Sequence, residues 1–249
     1  FFKKNKNNIG FPIYTKIGFD STCETIGEKY LNCDVSLSDN NVFGSSLNLT
    51  KDNIRFLQYG GYNNIYEIND NLVLRLSNDV VSSNSKILKN EELGLYYQTL
   101  MSKSIAEGGL NCPYICKVYD FGYYQILDNT YKIPKLKTTL GVYGIIENLK
   151  GGDLLDKIED VWEMEDISKL DYIKNITIQI LKALQCMHNN DFCHLDLKPP
   201  NIMLCNRETN DIKIIDFGCL HNFVENNNDE TGMGTHIYNS PEMVYKNEN

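Results

Sequence analysis

The stretch HLDLKPPNIML, from His194 to Leu204, decides how this sequence is interpreted. It places an acid, Asp196, five residues before an amide, Asn201, and then continues as a short apolar segment. A loop that leads into a strand can direct both side chains toward one point. Asp196 is therefore a candidate general base, the group that accepts a proton from an attacking hydroxyl.

Regular elements are predicted on both sides of this loop. Before it, apolar residues recur every three or four positions, which predicts a helix over 170–190. After it, IMLC (202–205) and IKII (212–215) read as two short strands separated by a polar turn. The repeating apolar residues of the helix are Leu170, Ile173, Ile176, Ile180, Leu184 and Met187.

An acid, Asp216, follows the second of these strands and is itself followed by Phe217 and Gly218. Carboxylate and amide oxygens suit a hard ion such as Mg²⁺, which takes few protein ligands and fills its remaining positions with phosphate oxygens. Asn201 and Asp216 are therefore candidate metal ligands. Lys198 is placed to neutralise a phosphoryl group in transfer.

The chain upstream of the loop is richer in strands. Strands are predicted at 53–61, 62–70, 71–77, 114–126 and 140–149, with one helix at 88–102 that Gly94 weakens. This order predicts an α+β fold in which a strand-rich half with one helix is joined to a mainly helical half. The cleft between such halves is a natural ligand site.

Three motifs resemble those of protein kinases, and they occur in the order found in that family. HLDLKPPN resembles the catalytic loop, IIDFG the metal-binding motif, and GTHIYNSPE (234–242) the end of the activation segment. The chain is identified as a divergent member of the eukaryotic-type, Ser/Thr-directed protein kinase superfamily over about 53–242. The resemblance implies a two-lobed fold, with an antiparallel-sheet N-lobe carrying one helix and a mainly helical C-lobe. The family has further helices after Glu242, so the C-lobe is expected to be incomplete here; whether the chain is a fragment is left open.

The resemblance also implies which residues contact ATP. GIIENLKGGD (144–153) resembles the segment that joins the two lobes, where the Glu147 and Leu149 backbones meet adenine and Asp153 meets the ribose. LQYGGYNNIYEI (57–68) resembles the glycine-rich phosphate loop in part. The full set implied for the nucleotide is Leu57, Gly60, Gly61, Ile65, Val73, Arg75, Glu92, Glu147, Leu149, Asp153 and Met203.

Several positions depart from the family pattern. Gln58 and Asn63 stand where the first and third glycines of the phosphate loop are expected. Arg75 occupies the place of the strand lysine that holds the α- and β-phosphates, and arginine is bulkier and planar. Its helix partner is predicted to be Glu92, with Glu91 as the alternative.

The catalytic loop carries Leu195 where the family usually has arginine, so activation-loop phosphorylation is not expected to be the main switch. Lys198 and Thr235 resemble the Ser/Thr-directed members. The prediction is an ATP- and Mg²⁺-dependent enzyme that phosphorylates Ser and Thr of protein substrates. The alternatives are a pseudokinase scaffold, favoured by Arg75, and a small-molecule phosphotransferase, which does not ordinarily carry GTHIYNSPE.

Composition limits the remaining possibilities. The net charge is −9, from 24 basic and 33 acidic residues, which argues against a nucleic-acid partner. No apolar run approaches 18 residues, so no membrane span is expected. The eight cysteines form no paired CxxC motif and are expected to be free thiols in a reducing compartment. Cytoplasmic localisation is expected, with the nucleus as an alternative.

Three regions are predicted along the chain. Residues 1–50 form an N-terminal extension of unknown role, either a docking site for a regulatory partner or a poorly ordered lead-in. Residues 51–147 form the N-lobe. Residues 148–249 form the interlobe segment and the first part of the C-lobe.

Overall fold

The computed structural model describes residues 18–19, 33–35, 47–49, 55–59, 63–77, 86–125, 140–223 and 234–245. The chain divides into two compact units by its internal contacts. The first contains residues 1–69, 73–88 and 119–145, and the second contains 70–72, 89–118 and 146–249. The predicted lobe boundary at 147/148 lies next to the break at 145/146 in this division, which also assigns most of the first helix to the second unit.

Two sheets are built from the strands that lie between residues 18 and 147. A five-stranded sheet has the order β4-β5-β6-β8-β7, and β4 pairs antiparallel with β5. The predicted strands are therefore confirmed. A small antiparallel sheet, β1-β2-β3, lies within the region that gave no clear pattern. The strands are β1 Gly18–Phe19, β2 Cys33–Val35, β3 Leu47–Leu49, β4 Arg55–Tyr59, β5 Asn63–Asn69, β6 Leu72–Ser77, β7 Val118–Gln125 and β8 Leu140–Glu147.

The burial of the strands follows their places in the five-stranded sheet. Along β5, buried side chains alternate with half-buried ones, the period expected when one face of a strand packs inward. All six residues of β6 are buried, because this strand lies between β5 and β8. Arg75 is therefore a buried cation, with 8% of its surface exposed.

The second half of the chain is mainly helical, and the predicted α+β class is confirmed. The helices are α1 Lys86–Ser102, α2 Ile158–Trp162, α3 Asp166–His188 and α4 Pro241–Tyr245, and the short strands are β9 Phe192–Cys193, β10 Ile202–Leu204, β11 Ile212–Ile214 and β12 His221–Asn222. β10 pairs with β11, and β9 pairs with β12, both antiparallel. None of the helices in the described ranges is long and apolar enough to cross a membrane.

Helix α3 forms where the apolar repeat predicts it, but its buried face is shifted. Leu170 and Ile173 belong to the repeat, yet they are 67% and 47% exposed. The residues that are buried are Tyr172, Ile176, Gln179, Ala183 and Met187. All of these except Gln179 belong to hydrophobic clusters that also contain residues of β10, β11 and the turn after α1. Tertiary packing rather than hydrophobicity alone therefore selects the buried side of the helix.

A disulfide joins Cys112 to Cys186, with their Cα atoms 5.8 Å apart. The expectation of free thiols is therefore wrong at these two positions, while Cys116, Cys193 and Cys205 are free, as is Cys219. The pairing has a structural cause. The backbone amide of Cys112 donates to the Met101 carbonyl (2.8 Å), which folds the chain back along the end of α1 and brings Cys112 against α3.

Gln179 connects α3 to the hairpin that leads toward Asp216. Its Nε2 donates to the Asn210 carbonyl (2.7 Å), and its Oε1 accepts from the Ile212 amide (3.0 Å). The side chain is 6% exposed. Gln179→Leu is expected to lower the free energy of unfolding by about 1–3 kcal/mol, because it leaves the buried Ile212 amide without its partner. Gln185→Leu, on the exposed side of α3, is the matched control for urea unfolding; equal losses in both variants would contradict the prediction.

Candidate active site

The loop of residues 194–201 connects β9 to β10 and closes with a 3₁₀ turn over Pro199–Asn201. Proline at the start of such a turn fixes the backbone dihedral that the turn needs. Leu195 has φ 59°, in the left-handed region that non-glycine residues seldom occupy. The loop is therefore held in an unusual backbone conformation at the residue just before Asp196.

Asp196 is the centre of a group of polar side chains. Its Oδ2 accepts from Lys198 Nζ (2.9 Å), and its Oδ1 accepts from the Thr235 hydroxyl (2.7 Å). Lys198 Nζ also donates to Thr235 Oγ1 (2.7 Å), which closes a triangle. Asp196 and Lys198 were predicted from one motif and Thr235 from another. Their hydrogen bonds join the loop to the segment that begins at Gly234.

These contacts keep Asp196 ionised. Burial alone would raise the pKa of this carboxyl group, but the hydrogen bonds from Lys198 and Thr235 outweigh burial and hold the pKa below its usual value. The Asp196 side chain is 11% exposed, so a group that enters the site can still reach it. An ionised carboxylate in this position can accept a proton at neutral pH.

Asn201 is fixed by the same carboxylate. Its Nδ2 donates to the Asp196 carbonyl (2.8 Å) and to Asp196 Oδ2 (3.1 Å), and the residue is 5% exposed. Since both bonds use the amide nitrogen, the side-chain oxygen is the atom left to act as a ligand. This orientation fits the predicted role of Asn201 as a Mg²⁺ ligand. No cluster of three or more His, Cys, Asp or Glu residues suited to a metal ion occurs in the described part of the chain.

Asp216 follows a residue that is tied to the loop on both sides. The Ile215 amide donates to the Asn201 carbonyl (3.0 Å), and the Ile215 carbonyl accepts from His194 Nε2 (2.9 Å). Asp216 itself has φ 63°, a second left-handed residue, and Phe217 is 1% exposed. The two acids predicted to carry the chemistry therefore stand on turns that hydrogen bonds lock to each other.

His194 is a neutral imidazole that holds the loop through hydrogen bonds at both ring nitrogens. Its Nδ1 accepts from the Asp196 amide (3.2 Å), so the proton is on Nε2, which donates to the Ile215 carbonyl. The ring is 2% exposed and packs against Phe217 with ring centroids 5.0 Å apart. Burial is the main reason that the pKa of His194 lies below its ordinary value, although the Ile215 carbonyl and the nearby acids oppose it.

This lowered pKa predicts that the protein loses stability below pH 6.5. Under those conditions the unfolded chain binds a proton at His194 that the folded chain does not, so the free energy of unfolding falls as the pH falls. His194→Gln is expected to lose less stability than the wild type between pH 7.5 and 5.5. Urea unfolding at the two pH values measures this, and equal losses would contradict it.

Gly234 holds the next motif against the loop. It has φ 88°, and a Cβ atom there would overlap the Leu195 carbonyl oxygen. Only glycine permits this approach without a backbone shift. The contact sets Thr235, the next residue, within reach of Asp196.

Five residues predicted to contact the nucleotide lie in the second unit, and the side chains of four of them, all but Glu92, are described. Leu149 is 8% exposed, and Glu147, Asp153 and Met203 are half-buried. Asp153 forms an isolated bridge with Met203, which places these two side by side. The Glu147 carboxylate accepts from the Lys117 amide (3.1 Å) and pairs with Lys213 (3.4 Å).

The remaining predicted residues belong to the first unit. Leu57 is 41% exposed on β4, and Ile65 is half-buried on β5. Val73 and Arg75 are buried on β6. Gly60, Gly61 and the Glu92 side chain lie outside the described residues. The roles of all these residues in nucleotide binding stay predictions.

Glu91, given above only as the alternative to Glu92, has a well-defined place. It is 7% exposed, and its Oε1 lies 3.3 Å from the position that a Cβ on Gly218 would take. The helical repeat could not select between these adjacent glutamates, because which of them faces inward depends on how α1 packs.

Comparison with known proteins agrees with this arrangement. Residues 85–249, more than half of the chain, match the family model described as the protein kinase domain. Calcium-dependent protein kinase 6 of Plasmodium berghei is 30% identical over 193 residues, which are 77% of this chain and 11% of that protein. Myosin light chain kinase family member 4 of Homo sapiens is 37% identical over 100 residues, 40% of this chain and 25% of that protein.

Myosin light chain kinase 3 of Danio rerio is 38% identical over 100 residues, 40% of this chain and 14% of that protein. The chain therefore spans between about a tenth and a quarter of the length of these relatives. The polar group around Asp196 and the left-handed turn at Asp216 lie inside the matched residues. The chain belongs to the protein kinase family.

Proposed function

We propose that this chain transfers the γ-phosphate of ATP to Ser and Thr hydroxyls of protein substrates. The observation that carries the proposal is the ionised Asp196 carboxylate held by Lys198 and Thr235. In this role Asp196 accepts the proton of the substrate hydroxyl as that oxygen attacks phosphorus. Lys198, 2.9 Å from the same carboxylate, supplies positive charge where the phosphoryl group is transferred.

Asn201 and Asp216 would hold Mg²⁺, which neutralises charge on the phosphates when it is bound. The chain's own contribution is to keep both ligands oriented. Asn201 is turned by its two bonds to Asp196, and Asp216 is carried by the turn tied to His194 and Asn201 through Ile215.

Specificity for Ser and Thr rests on Lys198 and Thr235. Both residue types resemble those found at these positions in the Ser/Thr-directed members of the family. The hydrogen bond between them fixes their side chains beside Asp196. The catalytic loop carries Leu195 in place of arginine, and Gly234 packs directly on its carbonyl. We propose that this backbone contact holds the activation segment in place of a phosphate–arginine pair. Cytoplasmic localisation is part of the same proposal.

A pseudokinase scaffold is the second candidate, and Arg75 favours it. The residue is 8% exposed in the middle of β6, where a planar guanidinium replaces the family's compact ammonium. Such a chain would bind nucleotide or partners without efficient turnover. For either candidate, we also propose that a regulatory protein partner binds through residues 1–50.

Transfer of labelled γ-phosphate from Mg-ATP to Ser, Thr and Tyr peptide libraries separates the candidates. The chain is expected to label Ser and Thr peptides and not Tyr peptides, and an Asp196→Asn preparation is the background control. Mg-ATP binding by a folded chain without any transfer would favour the scaffold. Equal labelling by both preparations would contradict the role of Asp196 as the general base.

A further inference from the structure

Helix α1 contains a glycine, Gly94, in its interior. Glycine lowers the stability of the helix there, and no interaction within the helix compensates for this. Glycine in a helix interior is less favourable than alanine. Gly94 is buried, and it lies well inside the helix, which spans Lys86–Ser102. The reason for a glycine must therefore come from what packs against it.

The group that packs against Gly94 is the backbone of the turn that carries Asp216. A Cβ atom at Gly94 would lie 2.5 Å from the Phe217 carbonyl oxygen, 2.8 Å from its carbon and 3.3 Å from the Gly218 nitrogen. Real Cβ atoms essentially never come within 3.0 Å of such neighbours. Because these atoms belong to the main chain, no side-chain rotation can relieve the overlap.

Glu91, one turn earlier on α1, meets the same turn. Its Oε1 lies 3.3 Å, and Asp216 Oδ1 lies 3.7 Å, from the Cβ position of Gly218. Helix and turn thus approach closely at both Gly94 and Gly218, and the carboxylates of Glu91 and Asp216 flank the second contact. The position of α1 therefore limits where Asp216 can stand.

We propose that Gly94 is a positioning residue for Asp216, because it allows α1 to lie directly on the Phe217–Gly218 backbone and fixes the orientation of the metal-binding acid. The inference rests on the proposed function only in taking Asp216 as a Mg²⁺ ligand. Asp216 has a left-handed backbone, which its surroundings must maintain. A methyl group at Gly94 must move the turn or the helix by about half an ångström to reach the 3.0 Å limit.

Gly94→Ala tests the proposal through nucleotide binding rather than turnover. Calorimetry with the non-hydrolysable analogue β,γ-imido-ATP gives the affinity with Mg²⁺ and with EDTA. In the wild type, Mg²⁺ is expected to raise the affinity. In Gly94→Ala, most of that gain is expected to disappear, by about tenfold or more, since small displacements of positioned groups have large effects. In EDTA, the affinities of the wild type and of Gly94→Ala for the analogue are expected to agree within about twofold.

Tyr96→Ala is the matched control, because it changes a side chain on the same helix that is 44% exposed. It is expected to keep the Mg²⁺-dependent gain. Thermal unfolding adds a second readout, since alanine in an unobstructed helix stabilises the fold while a clash destabilises it.

Each outcome has one meaning. A folded Gly94→Ala chain that keeps the full Mg²⁺ effect overturns the inference, whatever its unfolding temperature. So does a wild type whose affinity does not depend on Mg²⁺, and so does a variant that stays unfolded even at 10 °C. A wild type that transfers no phosphate, but whose Mg²⁺ effect Gly94→Ala removes, refutes the proposed function and supports the inference.

Discussion

Asp196→Asn is expected to lower the rate of phosphate transfer by about 10²- to 10⁴-fold, the contribution of a general base. Asparagine has nearly the same shape as aspartate but lacks its negative charge, so it cannot accept the substrate proton. The kcat with the best Ser or Thr peptide measures the effect. Binding of β,γ-imido-ATP to the variant shows that the site is still assembled.

The fold is expected to tolerate this change, because the Thr235 hydroxyl can reverse its role. In the wild type it donates to Asp196 Oδ1 (2.7 Å), and in the variant it can accept from the new amide. The Asn oxygen then remains for Lys198. Asp191→Asn is the matched control, since Asp191 is exposed and has φ 63°, a conformation asparagine also adopts. Asp196→Asn activity close to wild type would contradict the role of Asp196.

Reduction of the Cys112–Cys186 disulfide is expected to lower the free energy of unfolding by about 4 kcal/mol. The bond joins residues 74 apart, and in the chain-entropy account a long closed loop restricts the unfolded state most. Cys112 is 2% exposed and lies in the hydrophobic cluster that joins the end of α1 to α3. Urea unfolding with and without a phosphine reductant measures the loss.

The Cys112→Ala variant is expected to be insensitive to the reductant, because it has no bond to lose. Cys205→Ala, which removes a free thiol, is expected to respond to the reductant as the wild type does. Peptide mapping of the alkylated wild type identifies the linked pair. Alkylation of both thiols shows that the reductant has broken the bond. If the wild type then unfolds identically with and without the reductant, the bond does not contribute to stability.

The elements that could be predicted are those whose sequence pattern lies within one short segment of the chain. The apolar repeat gave α3, the strand patterns gave β4 to β8, and the spacing of Asp196, Asn201 and Asp216 indicated which side chains share a loop and a turn. The triangle of Asp196, Lys198 and Thr235 was accessible only through the resemblance, because Thr235 is 39 residues from Asp196.

The features that could not be predicted depend on contacts between distant segments. Nothing near Cys112 indicates Cys186 as its partner. Glu91 and Glu92 are adjacent, so only the packing of α1 against Gly218 gives Glu91 its place. Gly94 counted as a weakness of the predicted helix, whereas in the structure it allows contact with Phe217.

The disulfide also affects how proteolytic cleavage of a sample is detected. It closes a covalent ring from Cys112 to Cys186, and β7, β8, α2 and most of α3 lie within that ring. A protease that cuts one peptide bond inside the ring leaves the two pieces joined until a reductant separates them. A nicked chain would therefore run as a single full-mass species without reductant, so the integrity of a preparation has to be judged after reduction.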